Sequence, residues 1–299
     1  MNTRVRVQAI PAITAAAFGL SPLGRLLAQG APVPVIGLLQ PTGFDEINLT
    51  IEDAGIVGMP ETPAAGRYLF TFHKPLSGEQ GDYGFIVVQF PEGVTAEQAY
   101  ADEQEAMYSG TFPSWCGDAR FAGGARIGDA DNTWAILDLT PGTWHVSDLM
   151  VTAPAVLFEV TGDFPENVLE PEANVELHLV DLDFEIASGA FIAGENLVTS
   201  HNTGDQNHHV VAFRVPDGTT EGQVHALFNS MMTGTPEPNM LDDSSMEYIF
   251  NSIDQSLGTS ISFPVTLDAG TYLFVCWIPD SATGIPHVMT GMHELIVIE

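Results

Sequence analysis

The sequence predicts an all-β chain built as two tandem β-sandwiches. Short runs of β-branched and aromatic residues alternate with turns, and the chain contains 29 glycines and 20 prolines, a composition typical of many strand-to-strand connections. Its 299 residues, 45% of them apolar, suffice for two hydrophobic cores. The two halves also repeat one another in outline, which predicts that the same sandwich occurs twice.

The first thirty residues have the features of an export signal that is cleaved from the mature protein. Arg4 and Arg6 form a basic start, residues 7–20 are mostly apolar, and Ala28 offers a small residue for cleavage. The apolar segment is too short to span a bilayer as a helix. We therefore assign residues 1–30 to a signal peptide and expect a periplasmic, cell-surface or secreted protein with no membrane span.

Three blocks of the N-terminal half recur in the same order in the C-terminal half. The matched blocks are 65–73 with 193–201, 85–95 with 210–220, and 139–144 with 267–272. The offsets are 128, 125 and 128 residues, read between Gly66 and Gly194, Gly93 and Gly218, and Gly142 and Gly270. Because chance apolar runs rarely keep one register through three blocks, the sequence predicts an internal duplication.

Each half also contains one segment with helical spacing, at 96–107 and at 221–232. Residues 162–172 are rich in proline and acidic residues, which is typical of a linker. These features divide the chain after its signal into a first domain, residues 31–170, and a second domain, residues 171–299.

Metal-binding residue types concentrate in the last thirty residues. Cys276 ends an apolar strand-like run, His287 follows after ten intervening residues, and Met292 after four more. A thiolate, an imidazole and a thioether, completed by a second imidazole, are the ligands of a blue copper site, in which two His and one Cys form a plane and Met binds weakly along the axis. The second imidazole is expected from His208 or His209. Neighbouring strand residues point to opposite faces, so only one of these two can face the metal.

Residues 176–299 resemble a cupredoxin, a Greek-key β-sandwich of the plastocyanin type. The spacing Cys-x10-His-x4-Met, preceded by Gly-x-Tyr-x-Phe-x-Cys and followed by Leu-Ile-Val, is similar to the type 1 copper loop of copper nitrite reductases, with a slightly longer gap between Cys and His. The resemblance implies one type 1 copper held by His208, Cys276, His287 and Met292. The whole chain would then be two tandem cupredoxin-like sandwiches.

The first half lacks this ligand set. In the register of the repeat, Tyr83 stands in place of His208, Asp148 stands in place of Cys276, and no His/Met loop follows. A phenol and a carboxylate cannot reproduce a thiolate–imidazole copper site. We therefore predict a degenerate, metal-free first domain.

Two assignments stay open in the sequence. Cys276 could instead form a disulfide with Cys116, as paired cysteines of exported proteins often do, although a disulfide does not require the spacing of the other ligands. Met289 could replace Met292 as the axial ligand. The remaining histidines form no His-x-His pair and are interpreted as satisfied surface or core residues. They are His73, His145, His178, His201, His225 and His293.

The chain is strongly acidic, with 39 acidic residues, 8 basic residues and a net charge of −31. This charge argues against nucleic acid and anionic lipid as partners. Acidity can steer a basic redox partner, or it can be an adaptation to a salty environment, which the near absence of lysine suggests. The acidic residues are spread along the sequence rather than clustered near the copper loop, and this favours salt adaptation.

The sequence favours an electron carrier over an enzyme. Copper nitrite reductases and multicopper oxidases connect their type 1 copper to a second centre through a histidine adjacent to the ligand cysteine, whereas Val275 and Trp277 flank Cys276 here. The sequence also contains no Gly-x-Ser-x-Gly or His-Glu-x-x-His motif. We expect one-electron transfer with a redox partner protein. The alternative is an exported copper-storage or structural interaction module without redox turnover.

Overall fold

The computed structural model describes residues 41–52, 55–73, 83–109, 112–127, 132–149 and 153–299. The predicted signal peptide lies outside these ranges. In the described part of the chain, no helix is long and apolar enough to cross a membrane.

The described residues of the first half form eight strands and one helix. The strands are β1 (Asp45–Glu52), β2 (Gly55–Val57), β3 (Gly66–His73), β4 (Tyr83–Gln89), β5 (Arg120–Ile127), β6 (Asn132–Leu139), β7 (Gly142–Asp148) and β8 (Val156–Val160). Helix α1 (Ala96–Ser109) lies between β4 and β5, where the sequence predicts helical spacing.

The second half repeats this order of elements. Its strands are β9 (Val175–Val180), β10 (Asp183–Gly189), β11 (Gly194–Asn202), β12 (Val211–Val215), β13 (Glu247–Asn251), β14 (Ser260–Leu267), β15 (Gly270–Val275) and β16 (His293–Ile298). Helix α2 (Glu221–Thr233) again falls between the fourth and fifth strands, and short 3-10 turns occupy Asp243–Ser245 and His287–Thr290.

The strand topology confirms the duplication and the all-β sandwich fold. In the first half the strands are ordered β2-β1-β3-β6 in one sheet and β5-β4-β7-β8 in the other; in the second half the orders are β10-β9-β11-β14 and β13-β12-β15-β16. Each order of the second half is that of the first with every label raised by eight. The domain boundary at 170/171 falls in the connection between β8 and β9, and it stays a prediction.

The two sandwiches share a sheet, which was not predicted from the sequence. Strand β14 pairs with β6, through Ile261 opposite Leu137 and Ser262 opposite Ile136, and this joins one sheet of each half into a single eight-stranded sheet. Pairing of two edge strands removes unpaired backbone groups from solvent. The halves are therefore in direct backbone contact.

Strand β15 is buried on both faces, as its apolar run predicts. Tyr272 and Phe274 point into the sandwich core, as does Cys276 immediately after the strand. The alternate residues Leu273 and Val275 pack in a second cluster with the apolar face of α2. Period-two alternation thus assigns the thiol to the interior of the sandwich.

Matched hydrogen bonds show how closely the halves correspond. The indole of Trp144 donates to the carbonyl of Thr140 over 2.8 Å, and the hydroxyl of Tyr272 donates to the carbonyl of Asp268 over 2.8 Å. Both rings are buried at the start of equivalent strands, β7 and β15, and each reaches back four residues. The duplicated scaffold therefore extends to side-chain contacts.

Candidate metal centre

A network of buried amides holds His208 at one end of the second sandwich. His208 exchanges two backbone hydrogen bonds of 2.9 Å with Gln255. The side chain of Asn202, at the end of β11, donates to the carbonyls of Gln206 and Gln255 over 2.8 and 2.7 Å. These bonds close the turn-rich segment before His208 and fix the position from which its imidazole enters the core.

The loop from Cys276 to Met292 is closed by backbone hydrogen bonds. The N–H of Cys276 donates to the carbonyl of Met292 over 3.2 Å, and the carbonyl of Cys276 accepts from Val288 over 2.8 Å. His287 donates to the carbonyl of Ile278 over 2.9 Å, and its own carbonyl accepts from Met292 over 3.0 Å. The three candidate ligands of the loop are thus linked through the backbone.

The structure brings His208, Cys276 and His287 together in the core. Their candidate ligand atoms all lie within 4.8 Å of one another, and all three side chains are fully buried. The Sγ of Cys276 lies 3.8 Å from the Nδ1 of His208 and 3.5 Å from the Nδ1 of His287. Two imidazoles therefore present the same ring nitrogen to one sulfur.

These distances fit a metal ion at the centre of the three atoms. Bonds of about 2.3 Å to sulfur and about 2.0 Å to nitrogen, at a trigonal angle of about 120°, place sulfur and nitrogen about 3.7 Å apart. The observed separations of 3.8 and 3.5 Å bracket that value. No large rearrangement of the side chains is needed for binding.

Asp181 orients the His208 ring from outside the cluster. The Nε2 of His208 lies 3.0 Å from the carboxylate of Asp181, so the ring donates its proton there and leaves the Nδ1 lone pair facing the sulfur. Burial acts to raise the pKa of Asp181, but hydrogen bonds from His208 and from the backbone of Asp205 outweigh it and keep that pKa below its ordinary value. The carboxylate is therefore charged at neutral pH.

Burial keeps the three candidate planar ligands in their neutral forms. It lowers the pKa of His208 despite the Asp181 carboxylate, and, with the neighbouring His208, it lowers the pKa of His287 to about 4. The Nε2 of His287 makes no hydrogen bond within the described residues, so that ring is committed to no protein acceptor. Burial also raises the pKa of the Cys276 thiol to about 12. A metal ion that binds here must displace the thiol proton.

His209 points away from the cluster and has a different task. Its Nδ1 lies 2.8 Å from the carboxylate of Asp254, and its Nε2 accepts the backbone N–H of Trp277 over 2.9 Å. Both ring nitrogens are therefore occupied, which leaves His208 as the histidine of this pair with a nitrogen facing the sulfur. His209 anchors the residue next to Cys276. The sequence singled out His209 only as a rival ligand.

The two candidate methionines lie in different environments. Met292 is fully buried in the same apolar cluster as Cys276. Met289 is partly buried and packs with the α2 cluster on the other side of the loop. This partition favours Met292 as the axial residue.

Both cysteines are free thiols, so the alternative disulfide is not formed. Cys116 nevertheless lies near the cluster, because the side chain of Asn207 donates to the carbonyl of Cys116 over 3.4 Å. A cavity of about 500 Å³ between the halves includes Cys116, Asn207 and Asp254 in its wall. From the sequence, Cys116 is named only as a possible disulfide partner, and its position beside the second half is not predicted.

The first half carries no equivalent cluster in its described residues. Ile86 pairs with Ser147 there, just as Val211 pairs with Val275 in the second half. The next residue is Asp148 in the first half and Cys276 in the second, so Asp148 occupies the position of Cys276, as the repeat register predicts. Asp148 is buried. Burial, with the charges of Asp148 and Asp102, raises the pKa of Glu103 on α1 to about 7. A carboxylate thus stands where the second half has its thiol.

No model of a known protein family matches the sequence, and no curated protein matches it. Solved structures with a similar arrangement include an auracyanin from Roseiflexus castenholzii, at 19% identity and a TM-score of 0.27 over 42% of this chain and 94% of that one. Auracyanin A from Chloroflexus aurantiacus matches at 20% identity and a TM-score of 0.25, over 42% and 96%. A copper nitrite reductase from Nitrosomonas europaea matches at 9% identity and a TM-score of 0.22, over 85% and 93%.

These scores are low, so the chemical argument rests on the site itself. Two imidazoles and one thiol converge with spacings suited to trigonal coordination, and a buried thioether follows on the same loop. Copper in blue copper centres is bound by a soft thiolate, two imidazoles of borderline softness and a weak thioether. The His208–Cys276–His287 cluster, together with Met292, fits a single type 1 copper site.

Proposed function

We propose that this protein binds one copper ion through His208, Cys276 and His287, with Met292 as a weak axial ligand, and acts as a one-electron carrier. The observation that carries the proposal is the pair of Sγ–Nδ1 separations, 3.8 and 3.5 Å, inside a fully buried cluster. Copper bound by this donor set alternates between Cu(I) and Cu(II) and so supplies one-electron chemistry.

The chain's own residues support this role by keeping the site rigid and dry. Asp181 holds the tautomer of His208, and His209 anchors the backbone after Cys276. Backbone hydrogen bonds tie Cys276 to the far end of its loop. A donor set that is held in one geometry changes little between oxidation states, and exclusion of water tunes the reduction potential.

Flanking residues support a carrier rather than an enzyme. Val275 and Trp277 adjoin Cys276 and provide no imidazole that could bridge to a second metal. Val275 is buried against α2, and the ring of Trp277 lies edge-on to Phe228 at 5.9 Å between centroids. The residues beside the cysteine would therefore provide no direct ligand bridge from a bound copper to a second metal.

The partner we propose is a basic redox protein. Around the cluster, Asp181 and Asp205 reach solvent, and hydrogen bonds from Thr283 and Gln206 hold the pKa of Asp280 at about 2. Because the pKa values of Asp181 and Asp280 are lowered, those two carboxylates stay charged, and complementary charge accelerates encounter with a partner. They add a local contribution to the acidity that the sequence distributes along the chain. The N-terminal segment leads us to propose an exported location, where such partners are met.

Redox cycling separates a carrier from a copper store. We expect the copper-loaded protein to lose its visible band on reduction with ascorbate and to regain it on reoxidation, with no copper released over repeated cycles. A store for Cu(I) would lose the ion or stay colourless on oxidation. Irreversible bleaching, with copper recovered in the filtrate, would contradict the proposed function.

A further inference from the structure

A second group of potential metal ligands lies outside the copper loop. Glu221 and His225 are one turn apart on α2, and His293 begins β16 immediately after Met292. A cavity of about 480 Å³ lies between the helix and the turn after His287, and its wall includes His225, His293 and Met289. From the sequence, His225 and His293 are interpreted as satisfied residues, because they are far apart along the chain.

The helix and the strand bring a carboxylate and an imidazole together, with a second imidazole ring beside them. The Nδ1 of His293 lies 3.6 Å from the carboxylate of Glu221, and the rings of His225 and His293 are 4.7 Å apart between centroids. A separation of 3.6 Å exceeds a good hydrogen bond. It is close to the roughly 3.4 Å between two donors that bind one ion tetrahedrally with bonds of about 2.0–2.1 Å. Glu221 and His293 are therefore spaced to share an ion.

The imidazole of His293 is fixed in place yet has an unpartnered nitrogen. Its side chain is 5% exposed, the ring packs on Phe228 at 5.4 Å, and its Nδ1 makes no hydrogen bond within the described residues. Buried polar atoms are rarely left unsatisfied. A ligand between Glu221 and His293 would satisfy this nitrogen.

His225 supplies the movable third donor. Its side chain is exposed on the helix, so its imidazole can rotate toward the other two without disturbing the core. Residues four apart on a helix lie on the same face, which keeps His225 directly above Glu221. The carboxylate of Glu221 is 53% exposed. An ion can therefore reach this site from solvent, in contrast to the enclosed cysteine cluster.

We propose that Glu221, His225 and His293 form a second, open site for a divalent first-row transition-metal ion. Imidazole and carboxylate suit Cu²⁺, Ni²⁺ and Zn²⁺, and affinity for such donors is highest for Cu²⁺. Lacking a thiolate, this site would produce no intense visible band. The inference does not depend on the function proposed for the cysteine cluster.

Copper titration of the full chain, followed by electron paramagnetic resonance, tests this site. We expect each chain to bind a second Cu²⁺ ion. This ion should add the paramagnetic resonance signal of copper without a thiolate ligand, and no blue colour. His225→Ala and Glu221→Gln should each weaken this second ion by at least about 10-fold. His178→Ala is the matched control: it removes one member of another histidine pair, 5.5 Å from His201 between ring centroids, and should change nothing.

Uptake of only one ion by the wild type, or equal affinity in His225→Ala, would overturn the proposal. Equal losses in His178→Ala would do so as well, because they would indicate non-specific binding by surface histidines. If the blue band never forms while the colourless ion still binds and is lost in His225→Ala, the second site stands and only the function proposed for Cys276 fails.

Discussion

The two halves of this protein share a scaffold and differ in chemistry. Strands β1–β8 and β9–β16 have the same order, and a buried aromatic ring caps the same turn in each half. At the position where the second half has the thiol of Cys276, the first has the carboxylate of Asp148. The segment after β7 spans residues 149–155, whereas the segment after β15 spans residues 276–292. The scaffold is therefore common to both halves, and the longer loop after β15 supplies three of the four candidate copper ligands of the second half.

The first half has a different polar group, the partly buried carboxylate of Glu103, at the same end of its sandwich. Glu103 of α1 is close enough to Asp148 for the two charges to interact, and its pKa is raised to about 7. In the second half, the helix at this point contributes the apolar residues Val224, Leu227 and Phe228. In both halves, titratable or candidate metal-binding groups lie where the strands β7 and β15 end.

The largest effect is expected from a substitution that removes the thiol by which the two halves differ. Cys276→Ser replaces the thiolate by a hydroxyl that binds copper poorly. We expect complete loss of the visible charge-transfer band and a loss of copper affinity greater than the roughly 10–100-fold that outer-shell changes cause. Cys116→Ser is the matched control and should leave the absorption spectrum unchanged. A coloured Cys276→Ser protein would refute the ligand assignment.

A smaller effect is expected from the residue that orients His208. Asp181→Ala removes the acceptor 3.0 Å from Nε2, so the imidazole is no longer held in the tautomer that exposes Nδ1. We expect copper affinity to fall by about 10–100-fold while the blue colour is retained at saturating copper. Affinity is measured by competition with a chelator. Asp183→Ala, two residues later at the start of β10, is the control and should bind copper as the wild type does. Equal losses of copper affinity in both variants would indicate a general effect of surface charge.

The first half is tested through the pH dependence of its stability. The folded-state pKa of Glu103 is raised from 4.5 to about 7, so the folded protein holds a proton that the unfolded chain has released. Its stabilising contribution is present below about pH 4.5 and is lost as the pH rises through about 7. We expect the free energy of unfolding of the wild type to fall across this range by roughly 2 kcal/mol relative to Glu103→Gln, less than the full value of about 3.4 kcal/mol because the side chain is partly exposed to solvent. Parallel urea-unfolding profiles for the two proteins would contradict this.

The smallest structural effect is expected at the axial position. Met292→Leu should keep the blue colour and raise the reduction potential, because loss of a weak donor destabilises Cu(II) more than Cu(I). His287→Ala should instead damage the site, since it removes a planar ligand. Met289→Leu is the control and should leave the potential unchanged, as this residue packs on the α2 side. If the reduction potential measured by voltammetry shifts in Met289→Leu and not in Met292→Leu, the axial ligand is Met289.

Local patterns in the sequence were sufficient to predict much of the fold and of the site. Matched blocks predicted the duplicated order of strands, helical spacing predicted α1 and α2, and ligand spacing predicted that Cys276, His287 and Met292 share one loop. Contacts between distant segments were not predictable in this way. Asp181 reaches His208 from a different hairpin, and β6 pairs with β14 across the halves. Such contacts depend on the register of packed strands, which spacing along the chain does not encode.

The histidines outside the copper loop illustrate the same limit. His225 and His293 are separated by 68 positions in the sequence, yet their rings are neighbours because α2 packs beside the start of β16. Strand alternation predicts that only one of His208 and His209 faces the metal, but it does not say which one. The hydrogen bonds of His209 to Asp254 and Trp277 distinguish their roles.

The central claim is that one half binds a blue copper ion and its twin does not. The most direct test is a copper titration of the full-length protein, followed by the visible charge-transfer band and its paramagnetic resonance signal. The account predicts that the band saturates at one ion per chain in the wild type and in Asp148→Asn, and that it is absent in Cys276→Ser. A wild-type protein that stays colourless, or a band that requires two ions or persists without Cys276, would contradict it.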